Sequence, residues 1–519
     1  MGRQRRKIRA NQSDKFSSKG ESPNSLGSNA VKEITTAKAV SSVDVESVIF
    51  QKIDEIRADQ LNSGFSESCT LGSVCPSWPP CPSYRRQPKG LVNARNICYL
   101  LACLQTLLGL PPFVAILHHI SAALHSFFAE VGSLRDVWLE SQAETVPLLR
   151  LLLLHLDERT PYKPNEVRTG EPILPNDYGC LSTGKALSID PKFFAVLNFE
   201  VGCEQDAADC MSRLITQVHE EMATLLRRFK QPEYETFIDD NADGDGWTTV
   251  TSKGKKIKEA RHAQVDNGEV TPISLLFGGT LVSRSSYQKN SRLPNKLAID
   301  MKERFFVLPI ELQDPQVGCL EDGFQFLSRS EVLSDFRDPE TGLCVVMNRR
   351  VLVDRLPPIL LVQLKRFFYD PNKGGIRKVL KQIPIHRRLQ IVDSIVSKER
   401  VFSRAQGAYK LKAVVFHIGY NAERGHYTTA IVTQSNEVLY YDDLNVFRLG
   451  QEEEVWADMF ASHRPFDTHS ARCRSLPRKS FTAAGANAVS EHPPNIMEQP
   501  RTPYLLVYVS CFQQQSQRQ

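Results

Sequence analysis

An α+β fold is predicted for this 519-residue chain. Stretches with helical periodicity fill its first half, β-type runs take over beyond Thr271, and no internal repeat suggests a solenoid. Hydrophobic residues make up 41% of the chain, enough for a sizeable core. The length allows roughly two to four domains, or one large elaborated one. A net charge of +5 gives no electrostatic footprint of a dedicated nucleic-acid binder.

Residues 1 to about 40 are rich in Ser, Asn and Lys and are expected to be disordered. Arg3-Gln4-Arg5-Arg6-Lys7-Ile8-Arg9 is a basic cluster that reads as a solvated tail, with nuclear import or RNA contact as the sharper alternative. Met1-Gly2 is not a myristoylation start, because position six is Arg6. Residues 42–61 have helical periodicity, with Val45, Val48, Ile49, Ile53 and Ile56 on one face, so a helix over 44–61 is predicted. Residues 62–89 read as a linker, and Cys69, Cys75 and Cys81 lack a fourth zinc ligand at suitable spacing. The N-terminal region therefore runs over 1–87. The 12 cysteines include no Cys-x-x-Cys, and with no secretory signal at the start, a reduced intracellular compartment is expected. Cytoplasm is the default, with the nucleus as a second location through the basic cluster.

From Gly90 the chain becomes globular. Leu100–Leu108 is an apolar helix stopped by Gly109 and Pro111-Pro112. Leu148–Leu156 is too short and too interrupted, by Arg150 and His155, to span a bilayer, and reads as a buried helix. A further helix is predicted from about Gln205 to Arg228, where Ala207, Met211, Leu214, Ile215, Val218, Met222 and Leu225 recur at buried-face spacing. Residues 231–270 read as a flexible insertion. Its Asp239-Asp240-Asn241-Ala242-Asp243-Gly244 imitates an EF-hand start, but Val250 stands where the closing Glu is needed. Strands are predicted at 359–364, 411–417, 427–433, 437–441 and 504–509, with a polar excursion at 466–500.

Cys98 stands at the start of an apolar helix, whose positive end favours a thiolate. Asn93, five residues upstream, offers a side-chain NH₂ to an oxyanion, a donor worth roughly 3 kcal/mol. Cys103 is the rival nucleophile, but it sits among leucines as a buried, inert thiol. If 427–433 and 437–441 form a hairpin centred near Gln434, His426 lies opposite Asp442, which then fixes the imidazole tautomer. Asp443 is expected to point to the other face unless the strand ends there, and to act as an auxiliary to water or the oxyanion. Gly425 is expected to permit close approach of a substrate backbone.

Four runs resemble the ubiquitin-specific proteases. Gly90 to Gln105 resembles their cysteine box, and Gly425-His426-Tyr427-Thr428-Thr429 with Tyr441-Asp442-Asp443 their histidine box. Gln205-Asp206-Ala207-Ala208-Asp209 resembles the Gln-Asp box, and Leu356-Pro357-Pro358-Ile359 through Phe367 the central palm strand. The resemblance implies a papain-like cysteine protease core over 88–515, shaped as thumb (about 90–230), then fingers and palm (271–515). It implies a thiol-dependent deubiquitinase with ubiquitin and ubiquitinated proteins as partners, and cleavage after ubiquitin's last glycine. Cys98, His426, Asp442 and Asn93 would be catalytic. Gln205, Asp206, Gly425 and Tyr427 would bind substrate. Only Cys319 and Cys344 stand where relatives carry zinc-binding pairs, so no metal and no cofactor is expected. No membrane or nucleic-acid partner is expected, and the N-terminal tail is left to protein partners.

Three positions depart from the family pattern, Arg95 for Gly, Leu101 for Asn and Arg424 for Gly. Arg95 and Leu101 carry the alternative of a catalytically impaired ubiquitin-binding scaffold. A cysteine hydrolase for another acyl substrate suits the triad but not the other boxes.

Overall fold

The computed structural model describes residues 42–61, 88–94, 96–129, 145–159, 186–229, 269–288, 296–338, 342–372, 374–397, 407–421, 424–433, 435–461 and 500–511. The expected disordered tail, the EF-hand-like run, Arg95, Cys69, Cys75 and Cys81 lie outside them. So do nearly all of the expected linker, insertion and late excursion. Residues 46–519 form one compact unit, separate from residues 1–45.

Helices come first, as expected. α1 spans Ser42–Gln60. From Glu46 onward it buries Ile49, Ile53 and Ile56, spaced on one face. Its Phe50 stacks on Phe229 at 5.2 Å, its Glu46 pairs with Arg228, and its Arg57 reaches Glu269 at 3.1 Å. α2 is Cys98–Leu108, and every one of its residues is buried. The Pro111-Pro112 pair, expected only as a stop, also opens α3, Pro111–Phe128. Proline suits the first turn of a helix, where its missing N–H is not needed.

α4, Pro147–Arg159, is the expected buried leucine helix. The carboxylate of Glu221 caps its start, accepting from Leu148 N at 2.9 Å and Leu149 N at 2.8 Å. Burial pushes Glu221 up to about 7, against those same bonds. After a short α5, Lys192–Leu197, comes α6, Ala207–Phe229, with the predicted apolar face buried. Then α7, Pro272–Phe277, starts on a reciprocal capping box between Thr271 and Ser274. Among the described residues no single helix is long and apolar enough to cross a membrane.

Strands follow. β1 (Gly279–Gln288), β2 (Lys296–Phe305), β3 (Val307–Glu311), α8 (Leu320–Leu327), β4 (Glu331–Arg337), β5 (Cys344–Arg355) and β6 (Ile359–Lys365) lead to a two-stranded hairpin of β7 (Phe367–Asp370) and β8 (Gly375–Lys378). Then come β9 (Arg388–Gln390), β10 (Ala408–Ile418), β11 (His426–Val432), β12 (Glu437–Asp442), β13 (Asn445–Gln451), α9 (Glu452–Ala461) and β14 (Arg501–Ser510). A large sheet has the order β13-β12-β11-β10-β14-β6-β3, with β9 added beside β10. Along that path, among the described residues, only the β3–β6 pair is parallel. β6 and β14 are covered on both faces, which is why they read as continuous apolar runs.

A second sheet, β2-β1-β5-β4, is less covered. β4 has no buried position, and Tyr287 and Met347 form only a small core of their own. α2 packs on β11, where Thr106 Oγ1 and Thr429 Oγ1 share a buried hydrogen bond of 2.9 Å. That contact sets the helix bearing Cys98 against the strand bearing His426.

Ile53→Ala should lower the free energy of unfolding by about 2–5 kcal/mol in urea titration. An unchanged midpoint would mean that α1 is not part of the catalytic unit's fold.

Candidate active site

Cys98 is the first residue of α2, two positions earlier than the predicted helix start. The turn before it is made by Asn96, which sits at φ +55°, a left-handed conformation that asparagine tolerates. Asn93 Oδ1 accepts from Ile97 N at 2.9 Å, fastening the loop to the helix start. Cys103 is buried, and its Sγ donates to Ala207 O at 3.1 Å, which fits the expected inert thiol.

The cysteine segment is tied by backbone to the far end of the β12–β13 turn. Leu91 N donates to Asp443 O at 2.8 Å, and Gly90 and Val92 exchange bonds with Leu187. A Cβ on Gly90 would lie 1.9 Å from Leu444 O, so only glycine permits this approach. Glycine at this place was legible in the sequence, but its partner was not.

His426 is the first residue of β11 and is buried. Its Nε2–H donates to Asp442 Oδ1 at 2.6 Å, and Cys98 is its neighbour. With Nε2 taken by the carboxylate, Nδ1 is the nitrogen left to serve the thiol. Burial alone would lower the imidazole's pKa. The bond to Asp442 and the neighbouring Cys98 outweigh it and hold His426 well above its ordinary value.

The hairpin register differs from the expected one. Pairing runs Thr429↔Tyr441 to Val432↔Val438, so its centre is Ser435, not Gln434. Extended to the strand ends, it sets Asp442 opposite Thr428, diagonal to His426. The error of two residues preserves the face, because strand side chains alternate with period two. Asp442 therefore reaches His426 diagonally.

β12 ends at Asp442, and Asp443 turns at φ +49°. Its carboxylate does not leave the site. Oδ2 accepts from Asn93 Nδ2 at 2.9 Å and lies 3.9 Å from His426 Nε2. Asn93 is thus held at both ends of its amide, with its second N–H still to give. The ligand atoms of His426, Asp442 and Asp443 lie within 4.8 Å of one another, close enough to hold a cation. The 2.6 Å contact between His426 and Asp442 is instead a hydrogen bond between the ring and the carboxylate.

The residues expected to bind substrate are placed differently. Asp206 Oδ1 caps α6, accepting from Ala208 N at 2.7 Å and Asp209 N at 3.1 Å, while Oδ2 accepts from the Tyr504 hydroxyl. Tyr427 is buried, with its ring against His417 at 4.8 Å and Tyr504 at 5.8 Å. Gln205 is half-buried beside Asp206. The close approach at Gly425 is internal: a Cβ there would lie 2.1 Å from His417 Nε2 and 2.8 Å from Ile418 O. Sequence reasoning missed His417, hidden in the apolar run of β10. Cys319 opens α8, bonded reciprocally to Asp322, and Cys344 is exposed at the start of β5.

Gly90→Ala should cost about 1–3 kcal/mol, because the chain must move off Leu444. Amide exchange at Leu91 should speed up with it. Wild-type protection at Leu91 in this variant would show that the backbone seam does not depend on the glycine.

Comparison with known proteins places the chain in a family. The family model described as ubiquitin carboxyl-terminal hydrolase matches residues 89–508. The chain is 27% identical over 387 residues to a probable ubiquitin carboxyl-terminal hydrolase 3 of Schizosaccharomyces pombe, covering 70% of this chain and 69% of that one. It is 28% identical over 403 residues to mouse ubiquitin carboxyl-terminal hydrolase 10, covering 71% of this chain and 46% of the relative, so it spans about half the mouse protein. A solved SAGA DUB module bound to monoubiquitin is similar at a TM-score of 0.48 and 17% identity, over 82% of this chain and 69% of that one. By the extent of the family match, the chain belongs to the ubiquitin carboxyl-terminal hydrolases, a family of cysteine peptidases that act as deubiquitinases.

Proposed function

We propose that the protein hydrolyses the isopeptide or peptide bond after the C-terminal glycine of ubiquitin on conjugated proteins. The observation that carries this reading is the linked set of Cys98 thiol, His426 imidazole and Asp442 carboxylate, with the 2.6 Å bond orienting the ring. Cys98 attacks the glycine carbonyl as a thiolate, its proton already held by His426. His426 then protonates the leaving amine, releasing it from an acyl-enzyme. Water, deprotonated by the same imidazole, frees the ubiquitin carboxylate and restores the thiol. Asn93 offers its free N–H to the oxyanion, and Asp443 holds the amide in place. Gln205, Asp206, Gly425 and Tyr427 shape the substrate channel from behind, through packing and capping.

The catalytic domain in this reading is 88–515, with helix α1 added to its thumb, and residues 1–41 left for protein partners. Cytoplasm is the proposed location, with nuclear entry through Arg3–Arg9. The impaired-scaffold alternative rests on Arg95 and Leu101. Leu101 is buried inside α2, where an apolar side chain fills the core.

Ubiquitin carrying a C-terminal electrophile should form an adduct with the wild type and none with Cys98→Ser. Ubiquitin binding without an adduct would leave only the scaffold. A second expectation concerns pH. Asp442 raises the His426 pKa, so its proton persists to high pH and is lost as pH rises through that raised value. In Asp442→Asn the alkaline limb of kcat/KM should move to lower pH, and kcat should fall by about 10²-fold or more. An unmoved limb would mean that Asp442 does not set the imidazole.

A further inference from the structure

The segment that delivers His426 is held from below by groups the hydrolysis does not use. Lys378, the last residue of β8, sends its ammonium to His417 O at 3.1 Å and Gly419 O at 2.6 Å. These carbonyls flank the end of β10, where the chain leaves for His426. Thr502 Oγ1 also donates to His417 O, at 3.2 Å, and Gly419 N donates to Pro500 O at 3.2 Å. The His417 ring is wedged edge-on between Phe367 at 5.1 Å and Tyr427 at 4.8 Å. Gly425 rests on that ring with no room for a Cβ, and His426 follows it directly.

Arg366 fixes the other end of this support. Its guanidinium is fully buried and donates to Pro503 O, to Val379 O at 2.9 Å and to Lys381 O at 2.9 Å. The base of the β7–β8 hairpin is thereby tied to β14. Arg366 and His417 are the basic groups that face Lys378, and His426 lies beyond His417.

We propose that Lys378 is a positioning residue for His426: by clamping the end of β10 it fixes the His417 ring on which Gly425 and His426 sit. The proposal rests on the deubiquitinase reading for its kinetic readout, but its geometry is independent of ubiquitin. The clamp is built at an electrostatic cost. Burial, then the Arg366 charge, pulls Lys378 down to about 7, and burial pulls Arg366 down to about 10. Burial and the neighbouring Lys378, His426 and Arg366 charges push His417 down to about 2, so its ring is neutral. A residue kept only for stability would not be a buried cation facing other cations.

The test uses the full chain with Lys378→Met, which keeps the stem and removes the ammonium, and with Lys378→Arg. Three quantities are read: kcat and KM on ubiquitin with a C-terminal fluorogenic amide, the downfield proton resonance of the His426–Asp442 bond, and the melting temperature. Lys378→Met should lower kcat about tenfold with KM within about threefold, as expected for a misplaced catalytic group. The downfield resonance should broaden or vanish. The melting temperature should hold or rise, since a desolvated charge is gone. Lys378→Arg, which keeps donors for the two carbonyls, should recover part of both kcat and the resonance.

Wild-type kcat and an unchanged resonance in Lys378→Met would overturn the proposal. So would losses that follow a drop in melting temperature, which would mark a merely structural lysine. If the wild type leaves ubiquitin intact while the resonance still depends on Lys378, the deubiquitinase reading fails and the positioning role stands.

Discussion

Everything at the site depends on one backbone seam. The segment before the nucleophile lies against the turn after β12, joined by Leu91 N to Asp443 O at 2.8 Å. Asn93 adds a second tie to Asp443 at 2.9 Å. These bonds join parts of the chain 350 residues apart. A thiol at a helix start and an imidazole at a strand start have no reactivity in common until such a seam brings them together. Hydrogen bonds between backbone groups suit this task, because their positions vary less than those of long side chains. Gly90 makes the seam possible by lacking a side chain.

Above the seam, several polar groups are joined in pairs. Thr106 and Thr429 meet between α2 and β11. The Tyr440 hydroxyl donates to Thr428 at 2.8 Å, next to the strand face that carries His426. Asp206 spends one oxygen on the start of α6 and the other on Tyr504 of the central strand β14. Each of these groups would be costly to bury alone. Joined in pairs, they fix one relation between helices and sheet where purely apolar packing would leave several. The charge on His426 follows from the same logic, since burial opposes it and only specific partners sustain it.

Much of this was legible in the residues, for reasons that can be named. Apolar periodicity located α1 and α6, because one face of each is buried by the rest of the protein, and a leucine-rich run located α4, which is buried nearly all round. β6 and β14 declared themselves by unbroken apolar runs, since both of their faces are covered. The outer sheet was hidden: β4 is exposed or half-exposed throughout, so it carries no alternation to read. α3 was missed because a proline pair ends one helix and begins the next with the same letters. The triad survived a wrong register, since parity and not count decides which face a strand residue occupies. The occupants of the space beside Gly90, Gly425 and Asp206 were not legible. They come from Leu444, His417 and Tyr504, and no local pattern announces a contact made across hundreds of residues.

The order of strands in the large sheet has a consequence for how the protein comes into being. β14, the last strand, lies between β10 and β6 and contacts both along its length. A chain still emerging from the ribosome therefore has a gap in the middle of its sheet, between β10 and β6. Between synthesis of Asn93 and of Asp443, 350 residues apart, roughly 20 to 70 s pass at ordinary elongation rates. Throughout that interval the two halves of the site are not both present on the chain. β14, the last strand among the described residues, is made later still, so the large sheet is completed only after both halves exist.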